Sequence, residues 1–147
     1  KQYKLKRISS YEGIGEQLSS ISPEQPWYLL IRPAVHVNTT QLFHALCRDS
    51  KYQQRVTKTC DPLCLGNDFE AVLYSLYPEI QSIVETMKPH TPLHLTGSGS
   101  VVYARFDSAK EASTIASLAP ANCHTFVAKG LNTSPLHHAI AEQNDKS

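Results

Sequence analysis

The stretch Leu93–Phe106, "LHLTGSGSVVYARF", decides how this chain is read. Apolar and polar residues alternate on both sides of a Gly-x-Gly pair, the period-two pattern of strands with one buried face. Pro92 to Thr96 and Val101 to Phe106 are therefore predicted to be two antiparallel strands, joined by Thr96, Gly97, Ser98, Gly99 and Ser100. The junction has two readings. It is a bare tight turn, or it is a loop whose glycines let backbone N–H groups approach a phosphate. A lone glycine pair does not choose between them.

Upstream, "PWYLLIRP" (Pro26–Pro33) is a short apolar run between prolines and reads as a buried strand. In "VNTTQLFHAL" (Val37–Leu46), Asn38 or Thr39 can cap a helix carrying Leu42, Phe43 and Leu46. Cys47 to Leu65 is polar and without a period, so it reads as a loop with some helical turns. A second helix starts after Gly66, capped by Asn67 or Asp68, with Phe69, Val72, Leu73 and Leu76 as its apolar stripe. Pro78 suits a first helical turn, which makes "PEIQSIVETMK" (Pro78–Lys88) a separate helix. Downstream, "DSAKEASTIASLA" (Asp107–Ala119) is predicted as a helix capped by Asp107 or Ser108, and "HTFVAKGL" (His124–Leu131) as the closing strand. Lys1 to Ile8 reads as an edge strand guarded by lysines, and "YEGIGEQL" (Tyr11–Leu18) as a turn followed by a second short strand. The order of strand, helices, strand, strand, helix, strand predicts an α+β fold. It is the ferredoxin-like split βαβ arrangement, an antiparallel sheet covered by helices on one face.

The 147 residues suit one compact domain, and 41% apolar against 18% charged residues are enough for a real core. A net charge of +1 points to no nucleic-acid partner, and the cluster of Lys1, Lys4, Lys6 and Arg7 reads as a solvated edge. No run approaches the ~20 apolar residues of a spanning helix, so the expectation is a cytoplasmic protein without a membrane partner. Cys47, Cys60, Cys64 and Cys123 lack the spacing of a zinc framework and read as free thiols. Adjacent His137 and His138 read as a solvated pair, not a metal site, because neighbouring helical side chains point apart. The chain starts at Lys1 and Met87 is its sole methionine, which leaves a processed chain and a piece of something longer both open.

Five stretches together resemble one family. "EGIGEQL", "WYLLIRPAVHVNTTQLF", "GNDFE", "LTGSGSVVYARF" and "FVAKGLNTSPLHHAI" occur in the order and spacing of the carboxy-terminal half of the 4-diphosphocytidyl-2-C-methyl-D-erythritol kinases. These belong to the galactokinase, homoserine kinase, mevalonate kinase and phosphomevalonate kinase (GHMP) superfamily. The resemblance covers about Tyr11 to about Ile140, while "KQYKLKR" departs from the strand the family has there. It implies that residues 1–147 are a GHMP-kinase-type carboxy-terminal domain, ferredoxin-like in fold, facing an amino-terminal domain across the active-site cleft. The implied reaction is ATP- and Mg²⁺-dependent phosphorylation of the substrate's 2-hydroxyl, in the non-mevalonate route to isoprenoid precursors. The family's G-x-G-x-G-S-S-A phosphate loop and its catalytic aspartate are not among these residues. The resemblance thus implies no catalytic residue here, ATP and Mg²⁺ held mainly by the amino-terminal domain, and no activity for this chain alone.

Within that resemblance, Thr96 to Ser100 is the third superfamily motif, packed beside the phosphate loop, with backbone and hydroxyl donors to support phosphoryl transfer. Phe43 matches the aromatic residue that stacks on the cytosine of a small substrate with a cytidine diphosphate moiety, and Thr39 a substrate-contacting position. Read without the family, Phe43 is a core residue facing in with Leu42 and Leu46. Asn67 and Asp68 are helix caps or cleft-facing ligands, the cap being the simpler reading. Lys129 and Asn132 either face the nucleotide or stand in solvent. Two other functions stay open: a stand-alone ferredoxin-like module binding a ligand or partner, and the same domain of a mevalonate or homoserine kinase. Without its partner domain, the chain is expected to expose an apolar patch beside Leu95 to Val101.

Overall fold

The computed structural model describes residues 9–12, 17–20, 22–48 and 67–135. In chain order the elements are β1 (Ser9–Glu12), β2 (Gln17–Ser20), β3 (Trp27–Pro33), α1 (Thr39–Arg48), α2 (Phe69–Leu76), α3 (Pro78–Met87), β4 (His94–Leu95), β5 (Val102–Phe106), α4 (Ala109–Ala116) and β6 (Cys123–Lys129). Residues Trp27–Ala128 form one compact unit, and the flanking chain forms another. The strand expected over Lys1–Ile8, Gly13 and Gly15, most of the loop over 47–65, Cys60, Cys64, and the pair His137 and His138 lie outside the described residues.

The larger unit holds a four-stranded sheet in the order β4-β5-β3-β6. β5 runs antiparallel to both β3 and β4, so it inserts between two strands joined through helices, which is the split βαβ arrangement. The register pairs Leu29 with Ala104 and Ile31 with Val102. Side chains alternate across a strand, so this pairing gathers Leu29, Ile31, Val102, Ala104 and Phe106 on one buried face. Leu42 of α1, Leu73 of α2, Ile80, Ile83 and Met87 of α3 and Ala112 of α4 complete the core against that face. The opposite face carries Tyr28, Tyr103 and His94, whose rings meet at 6.0 Å (Tyr28 with Tyr103) and 5.6 Å (His94 with Tyr103).

Local chemistry places the helix ends. Asn38 accepts the Gln41 N–H on Oδ1 at 3.1 Å and so caps α1, in which Thr39 is the first residue. Ser108, one of the two expected caps, accepts the Glu111 N–H at 3.2 Å and starts α4. Pro78 opens α3 after the break at Tyr77, as its missing N–H and fixed φ favour. Two expectations need correcting. The first strand of the central hairpin is only His94–Leu95, because Pro92 has no N–H to donate to a ladder. Leu76 belongs to no buried stripe, being 36% exposed, since the core meets α2 at Leu73.

In the second unit, β1 and β2 pair antiparallel from Ser9 opposite Ser20 to Glu12 opposite Gln17. Asn132 donates through Nδ2 to the Pro23 carbonyl at 2.8 Å and to Ser22 Oγ at 3.2 Å, and the Gly130 N–H donates to the Pro26 carbonyl at 2.8 Å. The Asn132 amide is thus spent on its own chain, while Lys129 is exposed.

Candidate functional site

The glycine junction is an ordered loop with internal bonds. Thr96 donates from both its N–H and its Oγ1 to the Val101 carbonyl, each at 3.0 Å, and Gly99 N–H donates to the Thr96 carbonyl at 3.2 Å. Gly97 has φ of 49°, in the left-handed region that glycine enters without a Cβ penalty. Of the three hydroxyls expected to be on offer, that of Thr96 is therefore used inside the loop. Those of Ser98 and Ser100 are half-buried and make no hydrogen bond among the described residues.

The first turn of α2 grips this loop from outside. Asn67 Oδ1 accepts the Phe69 N–H at 3.0 Å, and its Nδ2 donates to the carbonyls of Leu95, at 3.2 Å, and Gly97, at 2.6 Å. Glu70 Oε1 accepts the Leu95 N–H at 3.1 Å, so the Leu95 peptide is held at both its N–H and its C=O. Of the two expected caps of α2, Asn67 carries the bond to the first turn, and the Asp68 side chain accepts no capping N–H of α2. With its nitrogen and oxygen engaged this way, Asn67 serves the protein's own backbone. Glu70 also acts at a distance: burial pushes the Tyr74 hydroxyl up to about 12, and the Glu70 and Glu85 carboxylates add to the effect by opposing a phenolate.

The aromatic side of the site lies on α1. Phe43 is 52% exposed, so the core reading of this ring fails while Leu42 beside it is fully buried. One residue along a helix is about 100° of rotation, which turns Phe43 off the Leu42 and Leu46 face. Its ring stands edge-on to Phe69, with centroids 4.8 Å apart and planes at 80°, a favourable aromatic geometry. Thr39 is exposed one turn earlier. Tyr77, which the sequence reading did not single out, accepts the Asn38 N–H on its hydroxyl at 2.9 Å and ties the start of α1 to the junction of α2 and α3. Phe43, Phe69, Asn67 and the glycine loop thus form one continuous set of contacts. The roles of Phe69, Glu70 and Tyr77 depend on partners 25 to 39 residues away and leave no periodic signal.

Among the described residues no group of three His, Cys, Asp or Glu side chains could hold a metal ion. The Glu70 carboxylate, bonded to the loop's flank, already accepts the Leu95 N–H. These residues do not make a Mg²⁺ site. Among the described residues, no large apolar side chain of Leu95 to Val101 is exposed in the patch expected there. Leu95 is 4% exposed because β4 turns it into the core, and the exposed large apolar side chains among the described residues are Phe43, Leu76, Leu118, Phe126 and Leu131. No helix among the described residues is long and apolar enough to cross a membrane.

The chain belongs to the GHMP kinase carboxy-terminal family: the family described as "GHMP kinases C terminal" matches residues 37–124, from the approach to α1 through the glycine loop and α4 into β6. Within that class its relatives are specific. It is 38% identical over 133 residues to the 4-diphosphocytidyl-2-C-methyl-D-erythritol kinase of Vibrio cholerae serotype O1, covering 89% of this chain and 45% of the relative. It is 37% identical over 132 residues to the kinase of the same name from Aliivibrio fischeri, covering 89% of this chain and 46% of the relative. The chain thus spans about half the length of the curated relatives it matches. The crystal structure of a 4-(cytidine 5'-diphospho)-2C-methyl-D-erythritol kinase superposes with a TM-score of 0.60 at 16% identity, over 85% of this chain and 50% of that one, a likeness of fold.

Proposed function

We propose that this chain is the substrate-side part of an ATP-dependent kinase that phosphorylates the 2-hydroxyl of 4-diphosphocytidyl-2-C-methyl-D-erythritol, a cytoplasmic enzyme of the non-mevalonate isoprenoid route. The observation that carries the reading is the exposed Phe43 ring, braced by Phe69, in one set of contacts with an ordered glycine loop. An aromatic face binds a pyrimidine by stacking without demanding a fixed hydrogen-bond pattern, which suits the cytosine end of the substrate. At the other end, the Thr96–Ser100 loop offers backbone N–H groups and the Ser98 and Ser100 hydroxyls toward the phosphoryl group in transfer. Thr39, exposed at the start of α1, is the second substrate contact. ATP and Mg²⁺ would be held mainly by an amino-terminal kinase domain, the partner of this one. When bound they supply the phosphoryl group and the charge neutralisation that the transfer requires.

The test is ADP release by the native polypeptide carrying this chain, offered 4-diphosphocytidyl-2-C-methyl-D-erythritol, mevalonate and homoserine in parallel with Mg-ATP. Turnover of the cytidyl substrate alone is expected, and the isolated 147 residues are expected to be inactive. Turnover of mevalonate or homoserine instead would assign the domain to a sister kinase. No turnover with any of the three would leave a binding module.

A further inference from the structure

We propose that Asn67 is the positioning residue of the glycine loop: its carboxamide sets where the backbone of Leu95–Gly97 stands relative to the phosphoryl group. This inference rests on the kinase reading above and assigns Asn67 no contact with substrate. Gly97 has a positive φ, and a Cβ built on it would meet nothing within 4 Å, so packing around Gly97 does not hold this peptide in place. What holds the Gly97 carbonyl is the Asn67 Nδ2, reaching across 30 residues of sequence at 2.6 Å.

The carboxamide is itself fixed in orientation. Its oxygen faces the Phe69 N–H and its nitrogen faces two carbonyls, so a flipped amide would set like against like at all three contacts. One planar group thus locks the first turn of α2 to both ends of the segment Leu95–Gly97. Because Phe69 also braces Phe43, the same turn sets the spacing between the loop and the stacking ring. A site that must align a hydroxyl with a transferred phosphoryl group gains most from such fixed spacing, since rate is steeply sensitive to geometry.

Asn67→Asp isolates this role. Asp keeps the volume and the acceptor for the Phe69 N–H, so the start of α2 survives, but it replaces the nitrogen that carries both donors with an oxygen facing the Leu95 and Gly97 carbonyls. In the native polypeptide the expected result is a fall in kcat of about 100-fold, the cost of a misplacement of about 1 Å, with KM for the cytidyl substrate within about threefold of wild type. Amide hydrogen exchange is expected to quicken at Thr96 and Gly99, whose N–H groups close the loop, and to stay unchanged in α3 and β5. Lowering the pH is expected to restore part of kcat, because a protonated Asp regains one donor. Unchanged kcat overturns the proposal, as does a rise in KM alone. Faster exchange throughout the sheet overturns it too, because Asn67 would then be a residue of general stability. If the wild-type polypeptide transfers no phosphate, the kinase reading fails, and exchange at Thr96 and Gly99 still decides whether Asn67 positions the loop. As a second variant, Glu70→Gln weakens the other hold on Leu95 while keeping a side-chain oxygen, and is expected to lower kcat less.

Discussion

Leu42 and Phe43 are neighbours on α1 with opposite surroundings, and replacing each with alanine is expected to separate structure from binding. Leu42 is fully buried, so Leu42→Ala leaves a cavity and costs about 2–5 kcal/mol of stability. Phe43 is 52% exposed and keeps roughly half of the ~1.5–3 kcal/mol of a fully buried ring. Its edge contact with Phe69 adds about 0.5–1.5 kcal/mol, so Phe43→Ala is expected to cost about 1–3 kcal/mol, toward the low end of the Leu42→Ala range. Binding should run the other way. Loss of a base-stacking ring costs about 1–3 kcal/mol, which is roughly 5- to 140-fold in affinity for the cytidyl substrate. Urea unfolding of the purified chain reads the first quantity, and substrate titration of the native polypeptide reads the second. If Phe43→Ala destabilises as much as Leu42→Ala, the ring belongs to the core and the assignment of helix faces is wrong. If substrate affinity moves less than about twofold, stacking on Phe43 has no part in recognition.

Three further outcomes follow from the local geometry. Gly97→Ala places a Cβ in open space, so its cost of about 1–2 kcal/mol in urea unfolding comes from the positive φ alone, and Gly97→Asn should cost less because Asn tolerates that region. Ser108→Ala removes the acceptor of the Glu111 N–H and should lower stability by about 1 kcal/mol, whereas Asp107→Ala should leave the cap of α4 intact. Tyr74 has a folded-state pKa raised from 10.0 to about 12, so below pH 10 both states keep the proton and above it the unfolded chain releases first. Stability should therefore fall between pH 10 and about 12, less steeply in Tyr74→Phe, and equal slopes in the two proteins would show that Tyr74 is not shifted.

Much of the fold was legible because its signals are short-range. The alternation in Trp27–Pro33 and Val102–Phe106 reports one buried sheet face, and Ser108 and Pro78 announce helix starts within a single turn of themselves. The candidate site was legible only in part. Its loop was visible as a glycine pair, but Phe43 sat in an apolar helix segment where exposure and burial give the same letters. Asn67 offered two caps' worth of chemistry beside Asp68, and nothing within the turn said which of them would bond or that the other end of the amide would reach Gly97.

By itself the sequence determined the order of elements, the split βαβ arrangement and the family motifs, because strand alternation, capping and turn chemistry act over a few residues. Only the tertiary structure decided that Phe43 faces out, that Thr96 spends its hydroxyl within the loop, and that Asn67 and Glu70 clasp the Leu95 peptide. Those outcomes depend on where α1, α2 and the β4–β5 hairpin come to rest against one another. That packing joins residues 25 and more apart in the chain, and no periodicity within one element encodes it.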